Sequence, residues 1–541
     1  MLEVITPVLL RQDGTSETLT GEMTSGGAMT FTIPAGEQRI HFSVPVRDMA
    51  GYWHPGKPRP QMKVDWHILF TAGAQQFFPY FTLFSDGHRN RFSVGLTEFA
   101  AESDFASHMN QFTGTLEIEF VLNAPREFQL FMDLRDIPWV ECLEEYRKMA
   151  HPAALPEYPA SVWEPVFCTW YAFHADLHQD EVEENARLAA ELGFKTFILD
   201  DGWCYDNPQR LRPGVVDWFK DIGSWKVSEK KFPDMKGHVK RVRDMGMNYL
   251  VWTGPTMVGM CSPEFKKLKL TTPCPYERSF WHLDTRDEAS VQDVLDRLEN
   301  LVREYGLSGL KVDFIDDEKA DRKSGMSEPT YRFLKRLQKT LQNVVPDAMI
   351  EFRQSYISPL TVDLATQFRA GDAPFDFVDN FNRIAQIRVI AGDQVPIHAD
   401  PVFWARSEKP ENIARHLVAS LAAVPMASMD LRVMTEVEKK IFLHYIGFYK
   451  AHQDVYRLGH WNVQFRGGMA SVISGKYGDC SIVIAADPAD AMQIAAAGEA
   501  GVNLLNLSPE ELPAAKAKAV YDGCGNKLNS AVIPVGGRAE F

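Results

Sequence analysis

The chain has 541 residues, 45% hydrophobic and 24% charged, with a net charge of −15. That length buries a large core and, at roughly 100–200 residues per domain, predicts about three domains. The acidic balance removes the basic surface that phosphates require, so neither nucleic acid nor anionic membrane is an expected partner. Seven scattered cysteines with no CxxC pair suggest neither a disulfide framework nor a zinc cluster. No apolar run approaches the ~18 residues of a membrane span. The opening Met1-Leu-Glu-Val-Ile-Thr-Pro lacks the pattern of a secretion signal, so a reducing, cytoplasmic location is expected.

Residues 1–140 alternate apolar and polar positions between Gly, Pro and Asp punctuation, as in Gly114-Thr-Leu-Glu-Ile-Glu-Phe-Val-Leu122. This period of two predicts an N-terminal β-sandwich. A Pro-rich stretch with Pro152, Pro156, Pro159 and Pro165 reads as a linker. The rhythm then changes. Buried-strand runs at 166–170, 196–200, 249–253, 309–313, 349–353, 367–371, 395–398 and 425–429 alternate with helical patterns at 179–192, 291–305, 331–344, 411–422 and 436–449. A short, weak helix pattern joins the fifth and sixth strands. Eight such units over 141–455 predict a (β/α)8 TIM barrel. From 456 to 541 short alternating segments return, with turns at Gly467-Gly468 and Gly536-Gly537, and predict a small C-terminal β-sandwich.

In such a barrel the chemistry sits where the strands end. The strand-end residues are Trp170 and Tyr171, then Asp200, Asp201 and Trp203, Trp252, Lys311 and Asp313, Arg353, Arg369 and Asp372, His398 and Asp400, and Asp430. Asp313 is the sharpest of them, because Gly309-Leu-Lys-Val-Asp-Phe-Ile-Asp316 is an apolar strand that turns acidic at one end. Buried acids and lysines need partners. Carboxylates bond hydroxyls and aromatic faces pack on pyranose C–H faces, so this set of residues fits a sugar pocket. Two carboxyl groups suffice for glycoside hydrolysis, one attacking the anomeric carbon and one protonating the leaving oxygen. Lys311, two residues before Asp313 on the same strand face, is expected to keep a nucleophile at Asp313 ionised. Asp372, on a loop fixed by Gly371 and Pro374, is expected to have its pKa raised by burial, as the acid requires. Each residue also has an ordinary reading: an Asp after a strand caps helices, an isolated Trp fills cores, and Lys311 pairs with Asp316 or Asp317. His174 and His178, four apart, lack a third ligand, so no metal and no cofactor is expected.

At these residues the chain resembles glycoside hydrolase family 36, the α-galactosidases of the retaining α-glycosidase clan. The resemblance runs from about Val166 to Asp430. It rests on Cys168-Thr-Trp-Tyr171, Leu199-Asp-Asp-Gly-Trp203, Asp221-Ile-Gly-Ser-Trp225, Lys231-Phe-Pro233, Val251-Trp-Thr-Gly-Pro255, Lys311-Val-Asp313 and Arg369-Ala-Gly-Asp372 with Ala373-Pro-Phe375. It implies a retaining α-galactosidase with Asp313 as nucleophile and Asp372 as acid/base. It also implies that Asp200 and Asp201 hold the 4- and 6-hydroxyls of galactose, with Lys311 and Arg369 on the substrate. Trp170, Tyr171, Trp203, Trp252 and Asp400 complete the expected binding set. The plant raffinose-synthase branch shares similar motifs, which leaves transfer to a sugar acceptor open. One departure concerns the fifth strand end, where many α-galactosidases carry Cys with small neighbours and this chain has Glu351-Phe-Arg-Gln-Ser355. Arg353 is expected either to contact the sugar near its 2-position, or an acidic substituent, or to form a salt bridge with Glu351 or a neighbouring acid. Two further readings remain at this stage: a Mg²⁺-dependent lyase or isomerase using Asp200, Asp201 and Asp313, and a catalytically silent sugar-binding protein. The loops 205–216 and 259–280 are expected to shape outer subsites. The N-terminal domain is expected to cover the pocket, with Trp53 as a candidate, or to build a homo-oligomer interface.

Overall fold

The alternating N-terminal segments form two six-stranded antiparallel sheets packed face to face. The strand Thr115–Ala124 shows why: Leu116, Ile118, Phe120 and Leu122 are buried between the sheets, while Glu117 and Glu119 point outward. This computed structural model describes residues 5–11, 13–206, 219–274 and 279–541. Most of the 205–216 loop, and 275–278 within the 259–280 loop, lie outside the described residues.

The barrel strands are Val166–Cys168, Thr196–Leu199, Asn248–Thr253, Gly309–Val312, Met349–Arg353, Gln367–Arg369, Ile397–His398 and Met426–Ala427. They pair in parallel, with the eighth beside the first. A parallel bridge between His398 and Val424 draws the seventh strand to the eighth. There the Val424 N–H donates to the Ile397 carbonyl at 2.8 Å and the Ala399 N–H to the Val424 carbonyl at 3.0 Å, which nearly closes the barrel. The predicted helices are present as Gln179–Leu192, Glu288–Tyr305, Ser327–Val344, Pro410–Ser420 and Glu436–Ala451. Between the fifth and sixth strands the weak pattern is no α-helix. The connection makes two 3-10 turns, Gln354–Tyr356 and Thr361–Asp363, pinned by mutual Ser358 and Thr361 bonds. Two further barrel helices, Met235–Asp244 and Phe377–Ala391, complete the outer layer.

A helix at Trp139–Ala150 follows the sandwich and joins it to the barrel. Its Tyr146 hydroxyl donates to the Leu96 carbonyl at 2.6 Å, and Trp139 stacks on Trp53 at 5.1 Å. Trp53 is fully buried in this junction, with its indole N–H on the Lys57 carbonyl, so it covers no pocket. The C-terminal segment forms a seven-stranded sheet and a two-stranded ribbon. One strand pair, Cys480–Ala485 with Val502–Asn506, is parallel and is crossed over by the helix Pro488–Ala497.

Gly309 opens the strand that delivers Asp313, and its backbone lies hard against the fifth strand. A Cβ there would sit 1.8 Å from the Met349 carbonyl oxygen. Gly309→Ala is therefore expected to cost about 1–3 kcal/mol by overpacking. Thermal unfolding should show a melting temperature several degrees lower, and an unchanged melting temperature would contradict the packing described.

Candidate active site

The fourth strand ends at Val312, and Asp313 follows with its N–H on the Thr253 carbonyl at 2.8 Å. Phe314 then adopts a left-handed conformation, φ 59°, which returns its own N–H to Asp313 Oδ1 at 2.9 Å. Trp252 on the third strand donates its indole N–H to Asp313 Oδ2 at 3.1 Å. The cation against this carboxylate is Arg353, at 3.2 Å from Oδ1. Parallel register explains the pairing: Val312 lies beside Phe352, so the next residues, Asp313 and Arg353, are neighbours. The other arm of Arg353 holds Asp316 Oδ1 at 2.7 Å, and its guanidinium lies 4.7 Å over the Phe314 ring. Burial alone would raise the Asp313 pKa, but Arg353, then Lys311 and Arg369, outweigh it and hold the group below its ordinary value.

Lys311 does not touch Asp313. It spans the barrel to Asp200 Oδ2 at 2.5 Å, and Cys168 Sγ donates to the same oxygen at 3.1 Å. Burial favours the neutral amine, yet the Asp200 charge prevails and the Lys311 pKa is raised. Asp200 Oδ1 accepts the Asp201 N–H, and Asp201 Oδ2 accepts the Tyr205 hydroxyl at 3.0 Å. The salt-bridge reading of Arg353 is thus the one observed, with Asp313 and Asp316 in place of Glu351. The expected Lys311 partners Asp316 and Asp317 are not its partners.

Arg369, at the end of the sixth strand, organises the other half. Its Nη1 meets Asp372 Oδ1 at 2.9 Å and Asp400 Oδ1 at 2.5 Å, and its Nε lies 3.7 Å from Glu351. Asp372 does not have the raised pKa expected of it. Its side chain is 50% exposed, and although desolvation pushes upward, Arg369 and then Arg353 hold its pKa near 2. Of the two acids on Arg369 Nη1 the raised one is Asp400, pushed up to about 7 chiefly by complete burial, with the Asp372 charge adding to the effect. Asp400 is 0% exposed, and its Oδ2 accepts the Tyr171 hydroxyl and the Ala373 N–H, each at 2.8 Å. It therefore offers no surface to a ligand. It mounts Arg369 and the Asp372 loop, correcting its expected substrate contact.

The aromatic expectations divide. Trp203 is 0% exposed and gives its indole N–H to the Trp252 carbonyl at 2.9 Å, which makes it core. Trp252 is also buried and acts on Asp313 rather than on the pocket face. Trp170 is partly exposed at the rim and meets His174 edge-on at 4.8 Å. Tyr171 is anchored through its N–H to Ser428 Oγ at 2.8 Å. Among the described residues, no group of three or more His, Cys, Asp or Glu side chains is disposed to hold a metal. Asp200 and Asp313 are instead taken by cations, unlike the set a Mg²⁺ site would need.

The sequence gives no sign of a glutamine brace under Asp372. Gly371 N–H donates to Gln354 Oε1 at 2.7 Å. Gln354 Nε2 donates to Gln386 Oε1. Gln386 Nε2 in turn donates to the Pro55 and Lys57 carbonyls of the N-terminal sandwich, at 2.9 and 2.6 Å. A Cβ at Gly371 would lie 2.5 Å from Arg383 Nη1 and 3.1 Å from Gln354 Oε1, so a larger residue would push aside the Arg383 side chain and crowd the brace.

Residues 145–344 match the sequence profile of the Melibiase family. Among curated proteins, α-galactosidase AgaA of Geobacillus stearothermophilus is 31% identical over 99 residues, which is 18% of this chain and 12% of that protein. α-Galactosidase Mel36A of Lactobacillus acidophilus is 27% identical over 180 residues, 32% of this chain and 24% of that one. The matched segments therefore span less than a quarter of the length of these relatives. The solved structure of a glycoside hydrolase family 36 α-galactosidase AgaA variant from Geobacillus stearothermophilus with raffinose superposes with a TM-score of 0.65 at 15% identity, over 99% of this chain and 89% of that one. TtGalA of Thermus thermophilus with stachyose gives 0.60 at 16% identity, over 81% of this chain and 99% of that one. At such identities the structural likeness establishes the fold, while the Melibiase segment covers the first four barrel strands and the Lys311-Val-Asp313 strand end. With the motif residues gathered at one rim of this barrel, residues 145–344 form a Melibiase-like segment within a chain that shares the fold of glycoside hydrolase family 36 α-galactosidases.

Proposed function

We propose that the protein is a retaining α-galactosidase in which Asp313 is the nucleophile and Asp372 the acid/base. The observation that carries this reading is the electrostatic division of two carboxylates at one barrel rim. Asp313 is buried and fixed by Phe314, Trp252 and Arg353, whereas Asp372 is half-exposed on Arg369. In the first step an Asp313 oxygen bonds to the anomeric carbon. The glycosidic C–O bond breaks, and its electron pair leaves on the aglycone oxygen, which takes the proton of Asp372. In the second step Asp372 removes a proton from water, the water oxygen bonds to the anomeric carbon, and Asp313 departs with the electron pair. The resting Asp372 anion suits the second step. A bound substrate desolvates the exposed carboxylate and so favours its protonated form for the first.

Asp200 and Asp201 hold the 4- and 6-hydroxyls of galactose in this reading, and Lys311 fixes the charge and direction of Asp200. The raffinose and stachyose bound by the structural neighbours support an α-galactoside as substrate. Both arms of Arg353 already meet carboxylates, which argues against an acidic glycone. Configuration is read by NMR on early product: a retaining enzyme releases α-galactose first, and release of the β-anomer would overturn the mechanism.

Asp313→Asn should lower kcat by at least about a thousandfold while leaving the melting temperature close to that of the parent. Asp372→Ala should slow raffinose cleavage far more than that of 4-nitrophenyl α-galactoside, whose leaving group needs little protonation; equal losses on both would remove Asp372 from the acid role. Arg353→Met takes away the charge that holds the Asp313 pKa down. Its pKa then rises and less of the nucleophile is ionised at low pH. The acidic limb of the kcat/KM profile should move to higher pH, and an unmoved limb would show that Arg353 does not control Asp313.

A further inference from the structure

The barrel rim that carries Asp313 and Asp372 also carries a concavity. A cleft of about 490 Å³ lies between the segments that follow the first, sixth, seventh and eighth barrel strands. Its walls include Tyr171, Phe375, Phe403, Trp404 and Met429. We propose that this cleft seats the leaving group of the substrate, and that it selects an aromatic, largely apolar aglycone over a further sugar. The inference rests on the reading of Asp372 as the acid that protonates the leaving oxygen.

Three observations carry it. The first is continuity. Tyr171 places its hydroxyl on Asp400, under the Asp372 loop, while its ring lines the cleft. Phe375 follows Asp372 by three residues, so the two lie within about 10 Å along the chain. An aglycone that takes its proton from Asp372 as it leaves the anomeric carbon departs beside this wall. The second is the wall itself. Phe403 lies 5.6 Å from the Tyr171 ring and 4.7 Å from the Phe375 ring, a run of aromatic faces beginning at the candidate site. Phe375 is 58% exposed and held at φ 63°, an uncommon conformation for a bulky residue, so a large apolar ring is maintained in solvent at the rim.

The third is the engagement of the two acids on the wall. Glu438 accepts the Trp404 indole N–H at 2.8 Å and the Thr435 N–H at 2.6 Å. Asp430 accepts from Arg432 at 2.9 Å and from Asn185 at 3.4 Å. Both acids are thus engaged within the protein, and among the described residues Arg406 is the cleft's remaining charged side chain, so aromatic and aliphatic groups dominate the wall and suit a flat apolar ligand. The volume falls in the range of roughly 300–1,000 Å³ common to small-molecule sites.

The test compares methyl and 2-naphthylmethyl α-galactosides, whose leaving alcohols are of similar acidity, together with raffinose. The full chain should cleave the naphthylmethyl glycoside with a kcat/KM at least about tenfold above both others. In the Phe375→Ala/Phe403→Ala double variant the ratio of naphthylmethyl to methyl kcat/KM should fall most of the way to one, chiefly through a higher KM for the naphthylmethyl glycoside. An enzyme that cleaves methyl galactoside but shows no naphthylmethyl preference, or prefers raffinose, overturns the cleft assignment and leaves the proposed activity standing. So does a preference that survives in the double variant. An enzyme that cleaves no α-galactoside overturns the activity itself, and the cleft assignment with it.

Discussion

Everything at this barrel rim depends on keeping charge balanced where water is scarce. Lys311, Arg353 and Arg369 serve Asp200, Asp313, Asp316, Glu351, Asp372 and Asp400, which is six carboxyl groups for three cations. A buried ionised carboxylate without a partner is costly, so the shortage must fall on some of the six. It falls on the two most enclosed acids on Arg369. Glu351 and Asp400 both have pKa values raised by burial, while Asp313 against Arg353, and Asp372, the half-exposed partner of Arg369, are lowered. The groups assigned chemistry are thus the ones held as anions, and the fully enclosed ones absorb the deficit.

The barrel was legible because parallel strands covered on both faces read as unbroken apolar runs, and each predicted strand lies where the run was found. The helix Phe377–Ala391 was not, because nearly every side is enclosed, including Asn380, Asn382, Gln386 and Arg388, and no polar face marks its period. Met235–Asp244 is hidden for the opposite reason, with Lys236, Lys240, Arg241, Arg243 and Asp244 crowding a short span. In the C-terminal segment, alternation marks strands without revealing that one pair runs parallel.

At the site, residue types and strand ends were readable while partners were not. Spacing along one strand pairs Lys311 with Asp313, but a barrel brings residues together across strands. Lys311 reaches Asp200 from two strands away, and Arg353 meets Asp313 through register. The sequence likewise marks Asp372 and Asp400 as acids after strands without showing which one solvent reaches. Trp203 and Trp252 both stand in motif segments at strand ends, yet one indole supports the backbone of the other, and only the second reaches a carboxylate.

The glutamine brace has a consequence for how such a molecule can be rearranged. Gln386 and Gln354 tie the backbone beside Asp372 to two carbonyls of the N-terminal sandwich, at Pro55 and Lys57. The sandwich is therefore part of the mounting of the barrel's machinery, and the two cannot evolve as free modules. A recombination that exchanged the first domain for a foreign one would preserve both carboxylates in the sequence and still misalign one of them, unless the incoming loop offered two carbonyls at the same place.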